Sequence, residues 1–175
     1  MSTLTTMKHL AFLIILFGFH LFASRAQAAS DSDFLAMQGI AKQVQDFMRV
    51  AKITETTAMV PGKPAADGGF QIMILSSKPL ATPTSDPGPA ASDPRKAWMI
   101  FATGAAAAYT KDSPQPITSI AFADTETLKE RVYYVLDMST ARDIQQKLKS
   151  DSITNDEAYR QIRAALKKTN IGASP

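Results

Sequence analysis

The chain has 175 residues, no cysteine, and only two histidines, His9 and His20, both within the first 28 residues. If that stretch is removed, disulfides, thiol nucleophiles, Ser-His-Asp triads and the usual zinc ligand sets are excluded, since each needs sulfur or imidazole. Basic side chains number 19 against 16 acidic ones, and Lys8 and Arg25 lie within the first 28 residues, so the remainder is nearly neutral and carries no argument for nucleic acid.

Residues 1–28 read as a cleavable secretory signal peptide. Lys8 precedes the apolar run Leu10 to Ala23, and Ala26-Gln27-Ala28 supplies small side chains at the two positions that the peptidase inspects, so cleavage is expected before Ala29. As a helix the run would reach about 21 Å, short of the roughly 30 Å hydrocarbon core, so no stable membrane insertion is expected after cleavage. Residues 29–175 are of a length to bury one core unaided. Export without cysteine, and without an Asn-x-Ser/Thr sequon, points to a periplasmic or secreted bacterial protein.

Phe34, Met37, Ala41, Val44, Met48 and Ala51 recur by threes and fours, which predicts an amphipathic helix with Asp31, Ser32 and Asp33 supplying its N-cap oxygens. Thr54 to Thr57 is β-branched and read as extended, and Pro61 to Gly69 is turn chemistry suited to a hairpin-like reversal. Phe70 to Leu75 and Ala97 to Thr103 are short apolar runs read as buried strands, with Trp98 in mid-strand. Between them, Lys78 to Arg95 carries five prolines, which fix φ and remove amide donors, and is read as a long loop. Such a loop is either a solvated insertion or a partner-docking arm, with Pro83, Pro87 and Pro89 as candidate contacts.

Gly104 to Lys111 is alanine-rich and predicts a short helix, opening the option of a parallel crossover into the strand Ile117 to Ala123. Val132 to Met138 forms the last predicted strand after a turn over Asp124 to Arg131. There Tyr133 and Tyr134 must face opposite sides, which makes Tyr133 a candidate partner contact. Ser139 or Thr140 caps a helix carrying Ile144 and Leu148. Thr154 to Glu157 is a capping box opening a second, with Tyr159, Ile162 and Leu166 as its buried stripe and Lys167 and Lys168 at its negative end. The expected fold is α+β: an N-terminal helix, a mixed or antiparallel sheet of about four strands, and two C-terminal helices, in a single domain over 29–175.

Chemistry is sparse in this pattern. Asp124 and Glu126 at one strand end, with Asp137 at the end of the next, are the best carboxylate cluster for a divalent cation or a hydrolase pair, and solvated strand ends explain them better. Ser76-Ser77-Lys78 is local adjacency rather than a Ser-Lys dyad, and no phosphate loop or dinucleotide fingerprint occurs. Six methionines beyond the leader are dispersed singly, as core filling rather than a Cu(I) site. No catalytic residue, metal or cofactor is therefore expected. The functional expectation is a non-catalytic accessory or adaptor protein of the bacterial cell envelope that binds a protein partner; the alternatives are a periplasmic small-molecule or lipid-binding domain and a carboxylate hydrolase.

Overall fold

The computed structural model describes residues 29–53, 56–62, 64–65, 68–77 and 94–170. Its elements in chain order are α1 (Asp31–Val50), β1 (Thr56–Met59), β2 (Phe70–Ser76), α2 (Pro94–Tyr109), β3 (Ile117–Asp124), α3 (Thr125–Lys129), β4 (Val132–Asp137), α4 (Met138–Lys149), α5 (Asn155–Ala165) and β5 (Lys167–Asn170). The fold is α+β, with one sheet in the order β1-β2-β3-β4-β5. Only β2 and β3 run parallel; the other pairs are antiparallel. No described helix is long and apolar enough to cross a membrane.

α1 forms where its periodicity places it and buries Met37, Ala41, Val44 and Met48. Its cap is Ser30, whose side chain accepts from the Asp33 amide, so the predicted cap lies one residue too late, and Asp31 and Asp33 occupy the first turn. Two glutamines a heptad apart tie α1 to the sheet edge: Gln38 Nε2 donates to the Val60 carbonyl at 2.6 Å, and Gln45 Oε1 accepts from the Ala58 amide at 3.2 Å. These bonds occupy polar backbone on β1, an edge strand, and just beyond its end. The chain then reverses as expected before β2, with Gly68 at φ 80° in the turn, a conformation that costs glycine little.

The largest correction concerns residues 94–112. Ala97–Thr103 is not a strand, and Gly104–Lys111 is not a separate helix: both belong to α2 and the 3₁₀ turn Thr110–Asp112. The helix starts at Pro94, inside the stretch read as loop; proline is tolerated as a first helical residue because its missing donor would be unpaired there. α2 lies against α1, α4 and α5, and buries Trp98, Met99, Ala102, Ala105, Ala106 and Ala107. A helix covered on so many sides is apolar nearly all round and loses the one-sided periodicity that distinguishes helix from buried strand. The crossover is real but joins β2 to β3, as a parallel pair requires.

Among the described residues there are five strands rather than about four. Lys167 and Lys168 do not end α5; its cap residue Leu166 is extended (ψ 131°), and the chain passes directly into β5, which pairs with β4. α4 begins at Met138 with Asp137 as N-cap, ahead of the predicted Ser139 or Thr140. The predicted turn after β3 contains α3, with Asp124 as the N-cap of a full capping box. The capping box at Thr154 and Glu157 is present as predicted.

Register assigns the faces. Ala58, Ile74 and Phe122 are aligned across β1, β2 and β3, and Ile72, Ile120 and Leu136 across β2, β3 and β4; all six belong to the core cluster that the helices cover. Trp98 sits within it, fully buried, its indole N–H donating to Thr56 Oγ1 at 3.0 Å and its ring edge-on to Phe122 at 5.6 Å.

Candidate binding surfaces

The candidate carboxylate cluster does not form. β3 and β4 are antiparallel with Ser119 opposite Asp137, so Asp137 lies five residues along the ladder from Asp124. At about 3.4 Å per residue that separates the two by roughly 17 Å. Each carboxylate is otherwise engaged: buried Asp124 accepts from the Glu126 and Thr127 amides at 2.9 and 2.8 Å, Glu126 pairs with Lys129, and Asp137 with Lys167. Among the described residues, no group of three or more His, Cys, Asp or Glu could hold a metal ion. Met37, Met48, Met99 and Met138 are core residues, while Met59 and Met73 are cross-strand partners, a juxtaposition that their sequence spacing conceals.

Tyr133 is half-buried on β4 opposite Thr169 of β5. It belongs to the sheet face turned away from the core, together with Met73, Leu75, Ala121 and Val135. Tyr134 faces the other way, and burial, with Glu130 and Asp124 nearby, raises its phenol pKa above the ordinary value. Pro83, Pro87 and Pro89 lie outside the described residues.

A surface that the sequence reading missed lies between the helices. On α2, Phe101, Gly104, Ala105 and Ala108 follow each other by threes and fours along one stripe, and Tyr109 flanks it. On α4, Gln145, Leu148 and Lys149 form the facing stripe, and Phe47 of α1 closes the near side. Together with Ile100 and Asn155 these residues line an open trough of about 500 Å³. Gly104 marks where the two long walls come close: a Cβ there would lie 2.8 Å from Oε1, at the far end of the Gln145 side chain. The aromatic rings form a contiguous ledge: Phe47 stacks on Phe101 at 6.1 Å and meets Tyr109 edge-on at 6.3 Å. Phe101 remains 41% exposed although it stands on the most deeply packed helix.

The trough continues into a second recess of about 350 Å³ that shares Ala108, Gln145 and Lys149 and adds Ala107, Lys111, Arg142 and Gln146. Its polarity is one-sided. Lys111, Arg142 and Lys149 line it, and neither recess has a carboxylate among its described lining residues.

No protein-family model matches the chain, and no curated protein or solved structure matches it either. Function must therefore be argued from this surface. The spacing from Phe101 to Lys111 would have revealed it in sequence, had Ala97–Thr103 been read as helical.

Proposed function

We propose that this chain is an exported, non-catalytic accessory or adaptor protein of the bacterial cell envelope that binds a protein partner. One observation carries the reading: the Phe47, Phe101 and Tyr109 ledge stands exposed over a packed core. Large aromatic side chains at the surface, beside a trough whose floor is made of small residues, suit the anchoring of a partner's side chains. The seat proposed from the structure is this trough, in place of the proline-rich segment and Tyr133 expected from sequence.

The small-molecule reading required open space behind Phe34, Met37 and Val44. Met37 and Val44 are wholly buried in the core, and Phe34 packs partly buried against it, which favours the adaptor. The separation of Asp124 from Asp137 removes the geometric basis of the hydrolase reading.

The test is gentle crosslinking and affinity capture from the native envelope, comparing wild type with Phe101→Glu, a change at an exposed position that should leave the fold intact. A protein captured by wild type and lost from the variant is the expected result. A small molecule retained on native mass spectrometry, with no protein captured, would replace the adaptor reading by the small-ligand one.

A further inference from the structure

We infer that the partner segment seated in the trough is an acidic amphipathic helix, an inference that rests on the adaptor reading and specifies its ligand.

The shape of the surface comes first. From Phe101 on α2 to Lys111 in the 3₁₀ turn that follows it, the wall advances ten residue steps, about 15 Å, nearly three turns of a docked helix. An open channel walled by two helices suits a rod that presents apolar side chains at i, i+3 or i+4, and i+7 to the floor while its back stays in water. An acyl chain would instead need enclosure along its length.

Charge selects the kind of helix. Lys111, Arg142 and Lys149 are exposed, converge on one recess, and take part in no ion pair among the described residues. On the neighbouring face of α4, by contrast, Lys147 is paired with Asp143 at 2.7 Å. Helix dipoles account for Lys149, in the last turn of α4, and for Lys111, just past the end of α2. They do not account for Arg142, which lies in the second turn of α4, away from the negative end of that helix. Three cations with no carboxylate partner among the described residues, beside an apolar trough in a protein whose charges otherwise nearly cancel, are complementary to carboxylates along one flank of the incoming helix.

The test uses protein purified after expression of the full chain. The probe is a fluorescein-labelled peptide of about 18 residues, long enough to be helical in water, with leucines at helical spacing and glutamates along one flank, beside a twin bearing lysine for each glutamate. The glutamate peptide is expected to bind at least about tenfold more tightly than its twin, with the difference shrinking as salt rises. The triple variant K111E/R142E/K149E, altered only at exposed positions, should reverse the preference. Equal binding of the two peptides, no binding of the glutamate peptide, or an unchanged preference in the triple variant would overturn the inference.

A photo-crosslinking side chain at position 101, used in the native host, separates this failure from that of the adaptor reading. A crosslink to an acidic helical segment supports both. A crosslink to a neutral or basic segment of another protein overturns the acidic helix and leaves the adaptor standing, whereas crosslinks to lipid alone, or to a second copy alone, overturn both.

Discussion

Thr154 and Glu157 show how a few polar atoms fix an element boundary. The Glu157 amide donates to Thr154 Oγ1 at 3.2 Å, and the Glu157 carboxylate accepts from the Thr154 amide at 2.8 Å and from its hydroxyl at 3.1 Å. Donors aimed at the carboxylate favour its charged form and hold the Glu157 pKa below its ordinary 4.5. A group whose folded pKa is depressed contributes stability above its unfolded value and loses it as pH falls through the folded one. The stability advantage of wild type over Glu157→Gln, read from urea midpoints, should therefore be constant down to about pH 4.5 and shrink below it. An advantage as large at about pH 3 as at about pH 6 would mean that the carboxylate charge plays no part. Residue chemistry also acts at the other helix ends. Lys52 and Asp151 adopt left-handed φ of 55° and 52° just past α1 and α4, and the residue after each donates back into the helix: Ile53 to the Met48 carbonyl at 3.1 Å, and Ser152 to that of Lys147 at 2.9 Å. Glycine is the usual occupant of that position, so two helix stops lacked their strongest sequence marker. The stop after α4 was nevertheless legible from Ser150-Asp151-Ser152.

α2 is the element on which sequence and structure part company, and the reason is its surroundings. α1 and α5 each bury one stripe and expose the rest, so spacing and caps located both to within a few residues. α2 touches three helices, and its code is volume rather than polarity: Trp98 and Met99 early, then alanines that let neighbours approach. The error propagated to the binding surface, because Phe101 and Tyr109 share a side of the molecule only if a single helix carries both. β5 escaped for the opposite reason. Its residues, Lys-Lys-Thr-Asn, have no apolar alternation; it is a strand because its backbone completes the β4 ladder, and charged side chains suit a sheet edge. Gly104 gives this element its test. Its Cβ would meet only the far end of the flexible Gln145 side chain, which can move aside, while alanine is the better helix former by roughly 1 kcal/mol. Gly104→Ala should therefore raise stability, by up to about that amount, as a higher urea midpoint at unchanged slope. A clear loss would show that Gln145 is held rigidly and that the contact between α2 and α4 is sterically locked.

At the scale of the whole molecule, the parallel pairing of β2 with β3 makes long-range order obligatory. The two strands meet only after the intervening chain, α2 included, has crossed between them, so the centre of the sheet and its covering helix are interdependent. The core follows the same logic. Side chains from α1, β2, α2, β3, β4, α4 and α5 form one contiguous cluster, with no second core among the described residues. Trp98, the chain's only tryptophan, is at the junction of these parts: it is fully buried, hydrogen-bonded to Thr56 beside β2, and in ring contact with Phe122 of β3. Its fluorescence therefore reports tertiary packing across the parallel pair, whereas far-UV circular dichroism reports the helices at large. With one shared core, the two signals should fall together in urea, at one midpoint and one slope. Trp98→Phe, which removes both indole volume and the hydrogen bond to Thr56, should move the circular dichroism transition as a whole to lower urea rather than split it. Helical signal surviving beyond the loss of the tryptophan signal would show that α1, α4 and α5 form a unit stable without the sheet. In that case the trough lined by α1, α2 and α4 could not owe its rigidity to the packing around Trp98.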